Sequence, residues 1–481
     1  MASICYSPFR RGITDAIAHG LALMIKIWGG EIMDYVEKRK LILEGNINKV
    51  ILSLAAPIML NNLIQTTYNL ADTYWVSKMG DIQVGATAFV WPVIYLVISL
   101  GMGINVAGTA LISQYIGANE KEKGRDVAGQ IVSFALIFSL VLAFIGYGFT
   151  PDIVRFMGAE GELFENSKIY LSVMFFDIPF LFITFIFSAI RQAQGDTVIP
   201  MIINAGGAVL NIILDPIFIF TFDMGIAGAA IATVLSKAVF TIYIAFALFK
   251  KSDGIYLSCD HLKIKPKLLK KILKVGVPSS LGQAGEALGF IILNMFIVSF
   301  GDDVITAFGL GNRINSIFMM PAMGIGGSLA SIVGQNMGAG NMDRVKNAFK
   351  SANIMSIAIL IVGGIIMFFT STQLLSLFSK NPNILKEGSY YLKLIALASP
   401  LMGIFQVCVG TFQGSGHTLY VMIMELTRLW IVRIPLIVIF KNYTNLGSAS
   451  IWYAMIISNS IICIIGILLY HSGKWQKKVT E

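Results

Sequence analysis

Five carboxylates stand inside long apolar stretches of the sequence, where a charged group is costly. They are Asp72, Asp177, Asp215, Glu286 and Glu425. An acidic side chain near the centre of a bilayer costs roughly 2.5–3.5 kcal/mol on insertion scales, and such residues mark ion or substrate paths in membrane proteins. These five residues are therefore the first candidates for chemistry.

Two of the acids end polar rows that have helical spacing. The first row is Asn61, Gln65, Tyr68 and Asp72, and the second is Asn204, Asn211 and Asp215. Separations of three, four and seven residues place each row on one face of an α-helix. Thr233, in the next apolar stretch, is a further candidate for the same group. The two rows predict a polar site that two or three helices share.

Such faces are not stable in lipid, so we expect them to meet inside a helical bundle. Carboxylates removed from water take up a proton or a hard cation more readily, and a close pair does so more strongly. The alternative is a static hydrogen-bonded network that only fixes helix packing. The four Cys and four His residues are scattered, so the sequence predicts no metal site and no enzyme chemistry.

The elements that carry these rows are membrane-spanning helices. Of the 481 residues, 56% are apolar and only 13% are charged, against about 25% charged in soluble domains. Twelve apolar stretches are long enough to cross a bilayer as helices. They cover 50–76, 84–115, 127–150, 166–190, 198–220, 226–249, 271–299, 304–335, 348–370, 388–412, 418–440 and 447–470. The composition excludes a soluble protein and predicts an all-α membrane protein.

The basic residues predict the orientation of the spans. If both termini are cytoplasmic, the tails and inner loops hold 25 of the 36 Lys and Arg residues, in agreement with the positive-inside rule. This distribution explains the net charge of +9 by attraction to lipid headgroups, without nucleic acid. We therefore expect a multi-pass protein of the cytoplasmic membrane, with cytoplasmic tails at 1–45 and 471–481.

The first residues superficially resemble a signal peptide. The apolar run at 13–28 is interrupted by Asp15, His19 and Lys26, and no small-residue cleavage site follows it. These features disfavour a signal peptide. We predict an interfacial helix, or an extension upstream of a start near Met33.

The chain repeats itself at an offset of 221 residues. Pro57 corresponds to Pro278, Gln114 to Gln335, Gly195 to Gly416 and Thr197 to Thr418. Each half has six spans, so the halves share one orientation and a pseudo-twofold axis along the membrane normal should relate them. This predicts an N-lobe at 46–250 and a C-lobe at 271–470, joined by a basic cytoplasmic linker at 251–270.

The repeat also predicts that the two lobes differ chemically. Glu286 occupies the repeat position of Gln65, and Glu425 that of Asn204, whereas leucines stand opposite Asp72 and Asp215. The twin carboxylates are thus confined to the N-lobe.

Two ion pairs are predicted from the remaining charges. Glu425 and Arg428 are three residues apart, the spacing of a same-face pair on a helix, and we interpret them as structural. Glu286 and Arg428 stay as C-lobe candidates for contact with substrate. Asp177 and Lys237 are expected to pair within the N-lobe.

Proline and glycine positions complete the pattern. Pro57 lies in the same span as Asp72, and proline bends a helix because it removes a backbone donor; we predict a hinge there. The glycine-rich stretch at 324–340 lacks the Lys-Ser/Thr of a phosphate-binding loop, so it predicts close helix packing rather than nucleotide binding.

The sequence resembles the multidrug and toxin extrusion (MATE) transporters, in particular their DinF-like archaeal and bacterial branch. The resemblance covers residues 45–470. It is carried by Ala56-Pro57, the run from Gln65 to Thr73 (QTTYNLADT), Gly117-Ala118, the run from Arg191 to Thr197 (RQAQGDT) and the run from Asn211 to Pro216 (NIILDP).

The resemblance implies a V-shaped pair of six-helix lobes that exports cationic, amphipathic compounds in exchange for H+ or Na+. Asp72 and Asp215 match the coupling carboxylates. Tyr68, Asn211 and Thr233 are their implied neighbours, and Pro57 matches a bend in the first helix. Glu286 resembles an acid of the Na+-coupled branch, although the tenth span has no acid at its middle.

The sequence therefore predicts a secondary antiporter that works by alternating access and has no cofactor, with H+ or Na+ as the coupling ion. We expect a monomer that contacts lipids and small-molecule substrates. The alternative is a flippase of the same superfamily for lipid or polysaccharide precursors. That alternative predicts a cleft lined by Arg313, Arg428 and Arg433.

Overall fold

The structure is a computed structural model that describes residues 34–251 and 253–480. The predicted interfacial segment at 13–28 lies outside these residues. The first eight helices are α1 (Tyr35–Glu44), α2 (Ile47–Ser77), α3 (Asp81–Gly117), α4 (Lys121–Phe156), α5 (Gly161–Phe175), α6 (Ile178–Ala193), α7 (Val198–Pro216) and α8 (Gly225–Phe249). The others are α9 (Pro266–Val298), α10 (Asp302–Gly338), α11 (Met342–Ser376), α12 (Pro382–Gly414), α13 (Thr418–Leu426), α14 (Ile434–Tyr443) and α15 (Ala449–His471).

The helices correspond to the twelve predicted spans. Over the described ranges, ten helices are long and apolar enough to cross a membrane, and α5 and α6, bent by 46° relative to each other, make an eleventh when they are taken as one span. The span predicted at 418–440 is α13, a π-helical stretch at Thr427–Arg433 and α14 in succession. A second π-helical stretch, Ile217–Thr221, extends α7. The all-helical membrane fold is confirmed.

Corresponding helices of the two lobes make corresponding contacts with the opposite lobe. Helix α2 packs on α7 of its own lobe and on α10 of the other, while α9 packs on α13 and on α3. Gln114 Nε2 donates to the carbonyl of Gly414 (3.3 Å), and its repeat mate Gln335 donates to that of Ala193 (2.8 Å). Because each contact recurs with the lobes interchanged, the halves are related as the pseudo-twofold repeat predicts.

The lobes meet at one end of the bundle, where α3 and α10 finish. Every residue of 107–117 and of its repeat counterpart 328–338 is buried. A Cβ on Gly117 would overlap the carbonyl of Gln335, and one on Gly338 would overlap that of Gln114. Toward the other end, α3 and α10 carry many half-buried and exposed residues. Close packing through small residues is therefore confirmed, and we call this region the closed end.

Helix α1, within the predicted tail, lies across the closed end. Arg39 donates from Nε to the carbonyl of Ile116 (2.9 Å) and from Nη2 to that of Gly117 (3.0 Å). Ile42 is 1% exposed, and its carbonyl accepts from Arg344 Nε of the C-lobe (2.9 Å). Since α1 bonds to both lobes, it ties them together.

We expect Arg39→Ala to lower the free energy of unfolding by about 1.5–3 kcal/mol, because two carbonyls at the end of α3 lose a charged donor. Denaturant unfolding in detergent micelles measures the change. Arg155 is 71% exposed, and Arg155→Ala serves as the control, with an expected change within about 0.5 kcal/mol. Equal stability of the two variants would contradict a tying role for α1.

Candidate functional site

The polar rows of α2 and α7 face each other inside the N-lobe. Asn204 Nδ2 donates to Asn61 Oδ1 across the two helices (2.8 Å). Two turns further along α7, Asn211 Nδ2 donates to Asp215 Oδ1 (3.1 Å) and to Thr233 Oγ1 of α8 (3.3 Å). Asn211, Asp215 and Thr233 are all buried. The structure thus brings three predicted helices to one polar site.

Tyr68 connects α2 to this group, since its hydroxyl lies 3.4 Å from Thr233 Oγ1. Asp72 follows one turn later on α2. Over the described residues, the buried atoms Asp72 Oδ1 and Asp215 Oδ2 have no hydrogen-bond partner. A buried carboxylate oxygen without a donor is rare and calls for a proton or a cation. The site therefore contains two carboxylates that are able to take one up.

Two predicted site residues behave differently. Gln65 is exposed, and its amide donates to Asn69 Oδ1 within α2 (3.3 Å), so it does not reach α7 or α8. Helix α2 continues through Pro57 without a break, and the hinge stays a prediction.

The predicted pair between Asp177 and Lys237 is confirmed. Lys237 Nζ lies 2.5 Å from Asp177 Oδ2, with Asp177 at the bend between α5 and α6. Lys237 is also close enough to Asp72 to interact electrostatically. Tyr170 of α5, which spacing did not reveal, is a buried neutral phenol close to Asp72, Asp177 and Asp215. The N-lobe site thus comprises three carboxylates and one fixed ammonium group.

We expect Lys237→Met to lower the free energy of unfolding by about 3 kcal/mol, because it leaves Asp177, which is 3% exposed, without its counter-charge. Adding Asp177→Asn removes the stranded charge, and the double variant should recover most of that loss. Unfolding of both variants in one detergent tests this. If the double variant is no more stable than the single one, the pair has no such role.

In the C-lobe, Arg428 donates from Nη2 to Glu286 of α9. Its guanidinium also lies over the Phe405 ring, 4.8 Å from the centroid. The predicted pairing of Arg428 with Glu425 is therefore wrong. The chain is π-helical from Thr427 onward, so the three-residue spacing of an α-helix no longer fixes the direction of Arg428, whose guanidinium bonds to Glu286 instead.

The three arginines do not converge on one surface. Arg433 is 2% exposed and donates to Ser458 Oγ (3.0 Å) and Asn459 Oδ1 (2.8 Å) of α15. Arg313 is exposed on α10. This arrangement differs from the arginine-lined cleft that is expected if the protein is a flippase for lipid or polysaccharide precursors.

The comparison with known families agrees with the internal repeat. The MatE family pattern matches the chain twice, at residues 57–217 and 278–439, which together make up well over half of it. The two matches begin 221 residues apart, at Pro57 and Pro278, the offset of the repeat. The chain belongs to the MatE family. The predicted family is thus confirmed, while the DinF-like branch stays a prediction.

Relatives resemble this MatE protein over nearly its whole length. The probable multidrug resistance protein YpnP of Bacillus subtilis is 29% identical over 441 residues, covering 90% of this chain and 97% of the relative. The probable multidrug resistance protein NorM of Thermotoga maritima is also 29% identical over 441 residues, with coverages of 90% and 94%. A solved transporter of the MOP superfamily from Pyrococcus furiosus has a TM-score of 0.85 at 28% identity, covering 91% of this chain and 98% of that one.

The MatE match places the candidate site in the first repeat. The match at 57–217 includes both polar rows, and it ends before Thr233 and Lys237 of α8. Lys237 follows Thr233 by four residues, a helical spacing that points both side chains toward the same neighbours. That spacing is the signal that could have placed Lys237 near Asp72 as well as beside its predicted partner Asp177.

Proposed function

We propose that this MatE protein is a monomeric antiporter that exports amphipathic, cationic drugs or toxins in exchange for H+ or Na+. The observation that carries the proposal is the pair of buried, unpartnered carboxylate oxygens on Asp72 and Asp215. Each needs a proton or a cation in an apolar surrounding. The names of the multidrug resistance relatives support the substrate class.

The orientation follows from the basic residues. The linker and the described C-terminal residues contact the closed end: Lys121 Nζ donates to the carbonyl of Asp253 (3.0 Å), and Thr480 Oγ1 donates to Gln114 Oε1 (3.4 Å). With these segments in the cytoplasm, the lobes are closed toward the cytoplasm and the conformation is outward-facing. Asp72 and Asp215, near the ends of α2 and α7 that lie away from the closed end, are then on the outer side.

The transport cycle uses the same carboxylates for ion and drug. A cationic substrate that arrives from the cytoplasmic side is attracted to the three N-lobe carboxylates, of which Lys237 compensates one. In the outward-facing form, a proton or Na+ from outside neutralises Asp72 or Asp215 and weakens this attraction. Bending of α2 at Pro57 then narrows the site, and the drug leaves. Release of the ion into the cytoplasm resets the cycle.

Reconstitution in liposomes tests this function. The protein is incorporated and the efflux of a fluorescent organic cation is followed, first with an imposed H+ gradient alone and then with an Na+ gradient alone. We expect one gradient to drive transport, and collapse of that gradient by an ionophore to stop it. No efflux under either gradient would overturn the proposal.

A further inference from the structure

Glu425 of α13 is a buried acid that the N-lobe mechanism does not use. It is 3% exposed, and its Oε2 is buried without a partner. Across the residues that the structure describes, no donor hydrogen-bonds to Glu425 and no cation lies within ion-pair distance of it. An ionised carboxylate in such surroundings lacks the compensation that buried charges require.

The repeat explains why the donor is missing. Glu425 corresponds to Asn204, and Gly282 of α9 corresponds to Asn61. In the N-lobe these two positions form the amide hydrogen bond between Asn204 and Asn61. In the C-lobe, Oε2 of Glu425 packs against Gly282, where a Cβ would overlap it. The same two helix faces meet, but the glycine offers no side chain to donate.

Among the described residues, the charged groups near Glu425 do not replace the missing hydrogen-bond donor. Glu286, one turn beyond Gly282 on α9, is a second acid, and it engages the nearby Arg428. Tyr95 of α3, a neutral phenol, lies near both acids and adds no compensating charge. Arg433 is directed to Ser458 and Asn459 of α15. The cluster of Glu286, Glu425 and Arg428 therefore carries one acid more than its engaged base neutralises.

We propose that Glu425 is a proton-binding site in the C-lobe and that its carboxyl group is protonated in the conformation described here. Loss of the proton to water breaks only the O–H bond and leaves an anion near Arg428. Arg428 Nε is buried and unpartnered, so the new anion competes with Glu286 for the guanidinium. Deprotonation of Glu425 thus weakens the pair that holds α9 to the π-helical stretch.

Infrared spectroscopy of the purified protein tests the proposal directly, because a protonated carboxyl group has its own carbonyl stretch. The measurement uses an Asp72→Asn/Asp215→Asn background, which removes two of the three N-lobe carboxyls and leaves Asp177 paired with Lys237. We expect a carboxyl band at neutral pH that shifts in D2O, is lost at high pH and is absent after Glu425→Gln. The exposed Glu120→Gln serves as the matched control and should keep the band. An unchanged band after Glu425→Gln would overturn the proposal.

A second variant guards against misfolding of the first. Gly282→Asn with Glu425→Asn places in the C-lobe the amide pair of the N-lobe. The shorter asparagine at position 425 removes the overlap with Oε2, and a shift of a few tenths of an ångström relieves the 3.2 Å contact of the new Cβ with Met422 Cα; this variant should lack the band. A carboxyl band that persists in this folded double variant would also overturn the proposal. Since the measurement reports protonation without substrate or gradient, its outcome is independent of whether the antiport proposal holds.

Discussion

Asp215→Asn is expected to reduce gradient-driven efflux to the level of empty liposomes. Asparagine has nearly the shape of aspartate and still accepts the hydrogen bond that Asn211 donates to Oδ1. It does not bind a proton at neutral pH and carries no charge to hold a cation. The substitution therefore removes ion coupling while it preserves the packing of α7 against α8.

The same experiment distinguishes coupling from a static network. If the polar site only fixed helix packing, the isosteric change would leave transport intact, and that result would refute the role of Asp215. Asp72→Asn should behave as Asp215→Asn does. Asp81, an exposed acid in the first turn of α3, provides the matched control, and Asp81→Asn should transport at the wild-type rate.

Gly117→Ala is expected to destabilise the closed end by about 1–3 kcal/mol, because an added methyl group must displace packed atoms. The atom it meets is the backbone carbonyl of Gln335, which has no rotamer to change. The repeat predicts the same effect for Gly338→Ala against the carbonyl of Gln114. The lobes then separate more readily at this end.

Hydrogen exchange measured by mass spectrometry detects this separation. Faster exchange is expected at 113–117 and 334–338 in Gly117→Ala than in the wild type, together with a lower melting temperature. Gly148 lies mid-helix in α4, and a Cβ there meets nothing within 4 Å. Gly148→Ala should therefore leave both quantities unchanged, and an equal response of the two variants would contradict the backbone clash.

Helical periodicity made much of the N-lobe site predictable. Continuous apolar runs predicted the spans, because a bilayer fixes the length of a helix that crosses it. Spacing of three and four residues then placed Tyr68 and Asp72 on one face of α2, and Asn211 and Asp215 on one face of α7. The structure brings these faces together.

Other contacts depend on features that spacing does not encode. The pair of Arg428 with Glu286 arises from a π-helical stretch, whose period differs from the 3.6 residues of an α-helix. Tyr170 lies near the site because α5 packs on α8, a contact that the spacing within α5 does not indicate. Arg39 binds backbone carbonyls, which every residue has, so no residue type marks its partners in advance.

The contacts between helices of the two lobes constrain how the chain assembles during synthesis. Gly103 and Gly117 of α3 face residues of α9 and α10, which leave the ribosome more than 150 residues later. The first lobe therefore enters the membrane with an incomplete surface of small residues, which lipid or the insertion machinery must cover meanwhile. Helix α1 precedes the other described helices, yet Arg344, one of its partners, emerges 302 residues after Ile42. Among the described helices, α1 is thus one of the last to reach its final contacts.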